Sequence, residues 1–189
     1  MNRSKRTRRV LILILQTVIA AGFLLFAITA SAQKRDHLTD PETELVRNNQ
    51  ELDKRIEVFI KAIERRFAII DGAAVSTPKK SNKDEDWGEA PKGTRAELLS
   101  DIAGILDEAI TNIDDVSQHD EKNPLISRSL RKLTSATNGF LTKLAALKNQ
   151  TKDVDEIAAI ERVADNANQI IEVGNKLPAA EESKKKKKP

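Results

Sequence analysis

The stretch whose reading decides the fold is residues 123–150, NPLISRSLRKLTSATNGFLTKLAALKNQ. Ile126, Leu130, Leu133, Thr137, Phe140, Leu144 and Leu147 recur at steps that alternate four and three. That period keeps one side of a 3.6-residue helix inward along the whole stretch. Asn123–Pro124 supplies an opening, because proline fits the first turn of a helix, where its missing N–H costs nothing. The spacing predicts a helix over 124–149.

Three more helices follow from the same reasoning. Before this one, TRAE at 94–97 pairs Thr94 with Glu97 in the form of a capping box. A broad stripe follows, with Leu98, Ile102, Ile105, Ala109, Ile113 and Val116 inward, and the predicted helix covers 95–117. After it, Asp153 and Glu156 resemble a second capping box ahead of Ile157, Ile160, Ala164, Ala167, Ile171 and Leu177, for a helix over 154–177. Earlier in the chain, Leu45, Leu52, Ile56, Phe59, Ile63, Phe67 and Ile70 hold one face, with Asp40 as cap, Pro41 at the first helical position and Gly72 as stop. They predict a single helix over 41–71, with Glu51–Arg55 and Glu57–Lys61 as surface pairs four apart. No strand pattern and no internal repeat appear.

Short connections between the last three helices make them antiparallel neighbours. The fold expected is therefore all-α, an up-and-down four-helix bundle over residues 33–178. The segment 73–93, AAVSTPKKSNKDEDWGEAPKG, lacks periodicity and is long for a loop in a compact bundle. Its Trp87 reads as a plug that pins the loop to the bundle end, or as an interaction residue. The separation of helix 41–71 by this loop raises a second possibility, a homodimer formed through that helix. Residues 179–189 read as a disordered basic tail.

The chain opens MNRSKRTRRVLILILQTVIAAGFLLFAITASAQ. Arg3, Lys5, Arg6, Arg8 and Arg9 precede a run without charge from Val10 to Ala32. A positive start, an apolar middle and an A-x-A end form a signal-peptide pattern. Ala30 and Ala32 are the small residues that signal peptidase requires, which places the cut before Gln33. The alternative is an uncleaved single-pass anchor over 10–32, since about 20 apolar residues span a bilayer. Both readings leave the basic flank in the cytoplasm and export the rest, to the periplasm or beyond. Paired arginines match a twin-arginine signal only weakly. No cysteine stands at the cut to carry a lipid.

Composition narrows the functional classes. Zero cysteines exclude disulfides, a thiolate metal site and a cysteine nucleophile. An exported domain without disulfides leans towards a bacterial envelope. The formal charge of +3 hides a division. Five of the positive charges lie in residues 1–32, and Lys184, Lys185, Lys186, Lys187 and Lys188 supply another five. The part between is acidic. Aromatic side chains make up only 3% of the chain, too few for stacking platforms on sugars or single-stranded nucleic acid.

Site motifs are weak or fail. His37 and His119 stand alone in a pre-helix segment and a turn, positions that are ordinarily solvated. The only methionine is Met1 and no Glu-x-x-His pair occurs, so haem and di-iron carriage are not expected. Asn82, Asp84 and Asp86 begin like a calcium loop, but Trp87 stands where glycine belongs and Gly93 where glutamate belongs. Asp114, Asp115, Asp120 and Glu121 read as a solvated helix end. No hydrolase or phosphate-loop motif is present. Asn149 heads a glycosylation sequon, which matters only in a eukaryotic secretory pathway. The expectation is a cofactor-free, non-enzymatic exported protein that works by contact, as a structural or interaction module. The alternative is a binder of anionic surfaces (lipid, lipopolysaccharide, cell-wall polymer or nucleic acid) through Lys184–Lys188.

Overall fold

The structure, a computed structural model, describes residues 35–73 and 86–178. By its internal contacts the chain divides into Met1–Arg35 and Asp36–Pro189, and the helices among the described residues belong to the second unit. Five helices and no strand occur among the described residues. They are α1 (Asp40–Asn48), α2 (Leu52–Ile70), α3 (Arg95–His119), α4 (Pro124–Gln150) and α5 (Val154–Asn175). None of them is long and apolar enough to cross a membrane. The segment 10–32 read as a leader or anchor, most of loop 73–93 and the tail 179–189 lie outside the described residues.

The predicted helix 41–71 is two helices. Asn49 closes α1, with its backbone N–H and its side-chain Nδ2 both donating to the Leu45 carbonyl. Arg55 then reaches back from α2 to the carbonyls of Asn49 and Gln50, at 3.2 and 3.3 Å. Side chains thus replace helical hydrogen bonds across Asn48–Gln50, where two asparagines already weaken the helix. Arg55 turns to these carbonyls and to Asn112 rather than to Glu51. The cap of α1 is Thr39, one residue before the expected Asp40. Its hydroxyl accepts from the Glu42 N–H, and the Glu42 carboxylate accepts from the Thr39 N–H at 2.9 Å.

The other starts follow their sequence signals. Thr94 and Glu97 form the reciprocal box at α3, and the Asn123 side chain accepts from the Leu125 N–H at α4. At α5, Asp153 accepts from the N–H groups of Asp155 and Glu156. Glu156 does not complete that box, because its carboxylate lies 3.3 Å from Arg95 on α3.

Consecutive long helices run antiparallel, but they are not all neighbours. Arg55 meets Asn112 and Arg66 meets Asp101, so α2 and α3 are antiparallel. Lys148 meets Glu161 and Thr134 meets the Ile170 carbonyl, so α4 and α5 are antiparallel. Asp53 and Asp71 of α2 meet Lys132 and Lys143 of α4, a parallel pair. The Asn166 side chain donates to the Ala103 carbonyl and Arg95 meets Glu156, so α3 and α5 also run parallel. The principal contacts are α3 with α5, α4 with α5, α2 with α3 and α2 with α4. Helices α3 and α4 meet only slightly, although residues 120–123 alone join them, and α2 does not touch α5. The expectation that short connections make neighbours holds for α4 and α5 and is corrected for α3 and α4. Small side chains explain the difference: Ala103, Ala109, Ala159 and Ala167 are buried on α3 and α5 and let those two approach closely.

The core runs through the shared interior. Ile56, Phe59 and Ile63 of α2, Leu99, Ile102, Ile105 and Leu106 of α3, Leu133 of α4 and Val163 of α5 are fully enclosed. Phe67 and Phe140 pack as tilted rings with centroids 5.5 Å apart. The apolar stripe of α2, which a homodimer through helix 41–71 would have used, is covered by the chain's own α3 and α4.

Gly174 marks a close approach of α5 to Thr134 of α4. A Cβ there would lie 2.1 Å from Thr134 Oγ1. Alanine is the better helix former by about 1 kcal/mol. Gly174→Ala is nonetheless expected to lower the midpoint of urea unfolding. Adding Thr134→Ala, which removes the colliding hydroxyl and methyl, is expected to restore most of the loss. A stabilised Gly174→Ala single variant would show that the helices part without cost.

Candidate functional site

Polar residues gather where α1 crosses α2 and α3 lies alongside, and the sequence reading did not bring them together. Glu42 sits at the third position of α1 because its capping box with Thr39 turns its side chain back toward α2. There it accepts from Arg66 through both carboxylate oxygens, at 3.0 Å from Nη1 and 2.8 Å from Nη2. Arg65 Nη1 donates to the same carboxylate at 2.7 Å. Glu42 is 0% exposed and Arg66 1%. Two further bonds occupy the Arg66 guanidinium, to the carbonyls of Ala62 at 2.8 Å and His37 at 2.5 Å. Its Nε lies 3.7 Å from the buried Asp101 carboxylate on α3.

Burial by itself would raise the Glu42 carboxyl. The bonds and charge of Arg66, the Thr39 N–H and the charge of Arg65 outweigh it and hold the carboxyl below its ordinary value of 4.5. Arg65 is likewise desolvated, which lowers its pKa against the opposing pull of Glu42. His37 extends the cluster. Its Nε2 stands 2.6 Å from Glu108 on α3, so it is half-buried and paired rather than solvated as expected. The side chain lies against Gly104, where a Cβ would come within 2.9 Å of its Cγ. His119 is exposed, with Nδ1 at 2.6 Å from the Asp115 carbonyl.

Trp87 covers the outer side of this cluster. It is 5% exposed. The Arg65 guanidinium lies 5.4 Å and the Lys61 ammonium 5.8 Å from its ring centre. Arg65 also donates to the Glu89 carbonyl at 2.7 Å, tying the segment before α3 to α2. Gly88 follows at φ 59°, and a Cβ there would meet Pro41 of α1 at 2.5 Å. Trp87 thus belongs to the packed interior.

The other predicted site residues lie outside the described residues: Ala30, Ala32 and Gln33 at the expected cut, and Lys184, Lys185, Lys186, Lys187 and Lys188 in the tail. So do Asn82 and Asp84, while Asp86 accepts from the Gly88 N–H. Asn149 is exposed in the last turn of α4. Among the described residues no group of three His, Cys, Asp or Glu side chains is placed to hold a metal ion.

Charge is sorted between the helices. On α4 stand Arg128, Arg131, Lys132, Lys143 and Lys148, with no acid. Asp155, Glu156, Glu161, Asp165 and Glu172 stand on α5 against a single Arg162. On α3, six acids face one arginine, Arg95. The basic α4 lies beside α2 and satisfies its acids: Lys132 bridges Asp53 and Glu57, and Lys143 meets Asp71 at 2.6 Å. Asp53 is buried, which would raise its carboxyl, but Lys132, Arg128 and Lys54 pull it below its ordinary value. The acidic α3 and α5 lie side by side. Grooves open on the surface between the described helices. One, of about 560 Å³, runs between α2 and α4 over Phe67 and Phe140, with Asp71 and Lys143 at its rim. Another, of about 280 Å³, lies among α3, α4 and α5, over Ile113, Leu133 and Ile170.

The Glu42 cluster sets an acid limit on stability. Its folded carboxyl titrates below the unfolded one, so the unfolded chain takes up the proton first as pH falls. The contribution of Glu42 is therefore complete above pH ~4.5 and is lost as pH drops toward its folded value. Glu42→Gln is expected to flatten this acid limb in unfolding experiments between neutral pH and pH ~3. At neutral pH it is expected to cost about 3 kcal/mol, because the buried Arg66 loses its hydrogen-bonded carboxylate and keeps only Asp101, 3.7 Å from its Nε. An unchanged acid limb would remove Glu42 as its source.

Compared with protein-family models, with curated proteins and with solved structures, the chain matches none, so its function is to be argued from its own residues.

Proposed function

We propose that the chain is an exported, non-enzymatic protein of the bacterial envelope, in which four long helices form an up-and-down four-helix bundle that serves as a structural or interaction module. The observation that carries this reading is where its reactive polar groups are spent. Glu42, Arg65, Arg66 and His37 hold α1, Trp87 and the segment before α3 against the core through bonds to one another, to Glu108 and to the backbone. What the molecule offers outward is charged helix surface, sorted by sign. Export rests on the leader: five basic residues, the uncharged run to Ala32, and the small pair Ala30 and Ala32 before Gln33.

A second reading has its own support. Lys184–Lys188 follow a fold whose outer α3 and α5 are acidic, so these lysines are the densest positive charge beyond Pro178. Each lysine near an anionic membrane is worth about 1 kcal/mol. Five would give reversible, salt-sensitive attachment to an anionic surface.

Expression of the full chain in a Gram-negative host, fractionation and intact mass test the first reading. The expected product begins at Gln33 in the soluble periplasmic fraction. A product that keeps residues 1–32 in the membrane fraction would make it a tethered module, and an unprocessed product in the cytosol would overturn export. Deletion of Lys184–Lys188 tests the second reading. Loss of binding to anionic vesicles, and of its salt dependence, is expected if the tail is the binder. Undiminished binding would reject it.

A further inference from the structure

We infer that the groove among α3, α4 and α5 is a docking site for this chain's own residues 179–189, which lay their lysines across it. The proposal is independent of where the chain is delivered, and it bears on the second reading above without resting on it.

The groove has an apolar floor and an acidic rim. Ile110, Ile113, Leu130, Leu133 and Ile170 line it, and Val173 is 51% exposed at its edge. Asp114 and Glu172 stand on its rim. Asp114 makes no ion pair among the described residues, and Glu172 shares its charge only with the exposed Lys176, at 2.8 Å. A floor of this kind suits the four-methylene stem of a lysine, and a rim of this kind suits its ammonium group.

The chain arrives at the right place. Leu177 packs against the core and Arg131 Nη2 donates to the Pro178 carbonyl at 2.6 Å, so the point of departure is fixed beside α4. The groove residues of α5, Gln169 to Val173, lie at most nine residues back, roughly 14 Å along a helix. From Pro178 to Lys184 the chain spans six residues, roughly 20 Å when extended. The sequence AAEESKKKKK also matches the charges in order. On the proposed path Glu181 and Glu182 would pass Arg131 and Lys176, the bases nearest the point of departure, and the lysines would follow at the acidic rim.

The consequence is a tail held by its own fold at low ionic strength and released by salt or by a stronger anionic competitor. The test is the rate at which trypsin cuts within Lys184–Lys188 of the full chain, followed by intact mass. The free peptide AAEESKKKKKP in the same buffer corrects for the effect of salt on the protease. At low salt the tail is expected to be cut about threefold to tenfold more slowly than the peptide, as two exposed ion pairs would give. High salt should abolish the protection. So should the exposed substitutions Asp114→Asn with Glu172→Gln, and separately Val173→Lys, with helicity by circular dichroism confirming that each variant is folded. Equal rates for chain and peptide at low salt would overturn the proposal. Protection that survives these substitutions would place the tail elsewhere and also overturn it. Protection that vanishes on dilution would assign the groove to a second copy's tail and overturn the intramolecular contact.

Discussion

The structure depends on one buried cation. Arg66 lies in the apolar stripe of α2, and a guanidinium removed from water costs several kcal/mol unless its donors are met. The core supplies one acceptor from its own helix, the Ala62 carbonyl, and the rest come from outside it. They are the Glu42 carboxylate and the His37 carbonyl, both on the segment that precedes α2. That segment is held in turn by Arg66. At nine residues α1 is too short to be stable alone, so it persists because it answers a charge. Trp87 completes the arrangement by covering Arg65, the second cation on the same carboxylate. Arg66 therefore decides the path of the chain before α2, and Arg65 beside it decides the path after α2.

The order of the helices around the core follows from side-chain size rather than from the lengths of the connections. A four-residue link places α4 after α3, yet the alanines of α3 and α5 draw those two together and leave α4 against α2 and α5. Gly174 allows the last of these contacts by leaving room for Thr134. The pairing of parallel helices then brings acid beside acid at α3 and α5, while the basic α4 meets the acids of the mixed-charge α2.

The all-helical class and the faces of α2 to α4 were legible in the sequence, whereas α5 buries Ala159, Ile160, Val163, Ala167 and Ile170 and leaves the expected Ile157, Ala164 and Ile171 only half-buried. The alternating steps from Ile126 to Leu147 and the signals at Thr94, Asn123 and Asp153 are local properties that no neighbour overrides. The break at Asn49 was less visible, since the apolar period passes through it unchanged. A signal for the buried cluster did exist. Thr39 and Glu42 have the same spacing as Thr94 and Glu97, and Arg66 falls on the inner face three residues after Ile63. A cation at an inward position calls for an anion from elsewhere, but the sequence alone does not say from where. Neighbour order was illegible for a similar reason. A stripe shows that a helix face is buried and is silent about what buries it.

The sorting of charge has a physical consequence for the molecule as a whole. With acids gathered on α3 and α5 and bases on α4, the folded unit is an electric dipole directed across the helices rather than along them. Beside a charged surface such a body experiences a torque before it makes any contact, over a distance of about one Debye length, ~8–10 Å in physiological salt. A negatively charged surface would turn α4 inward and leave α3 and α5 facing away.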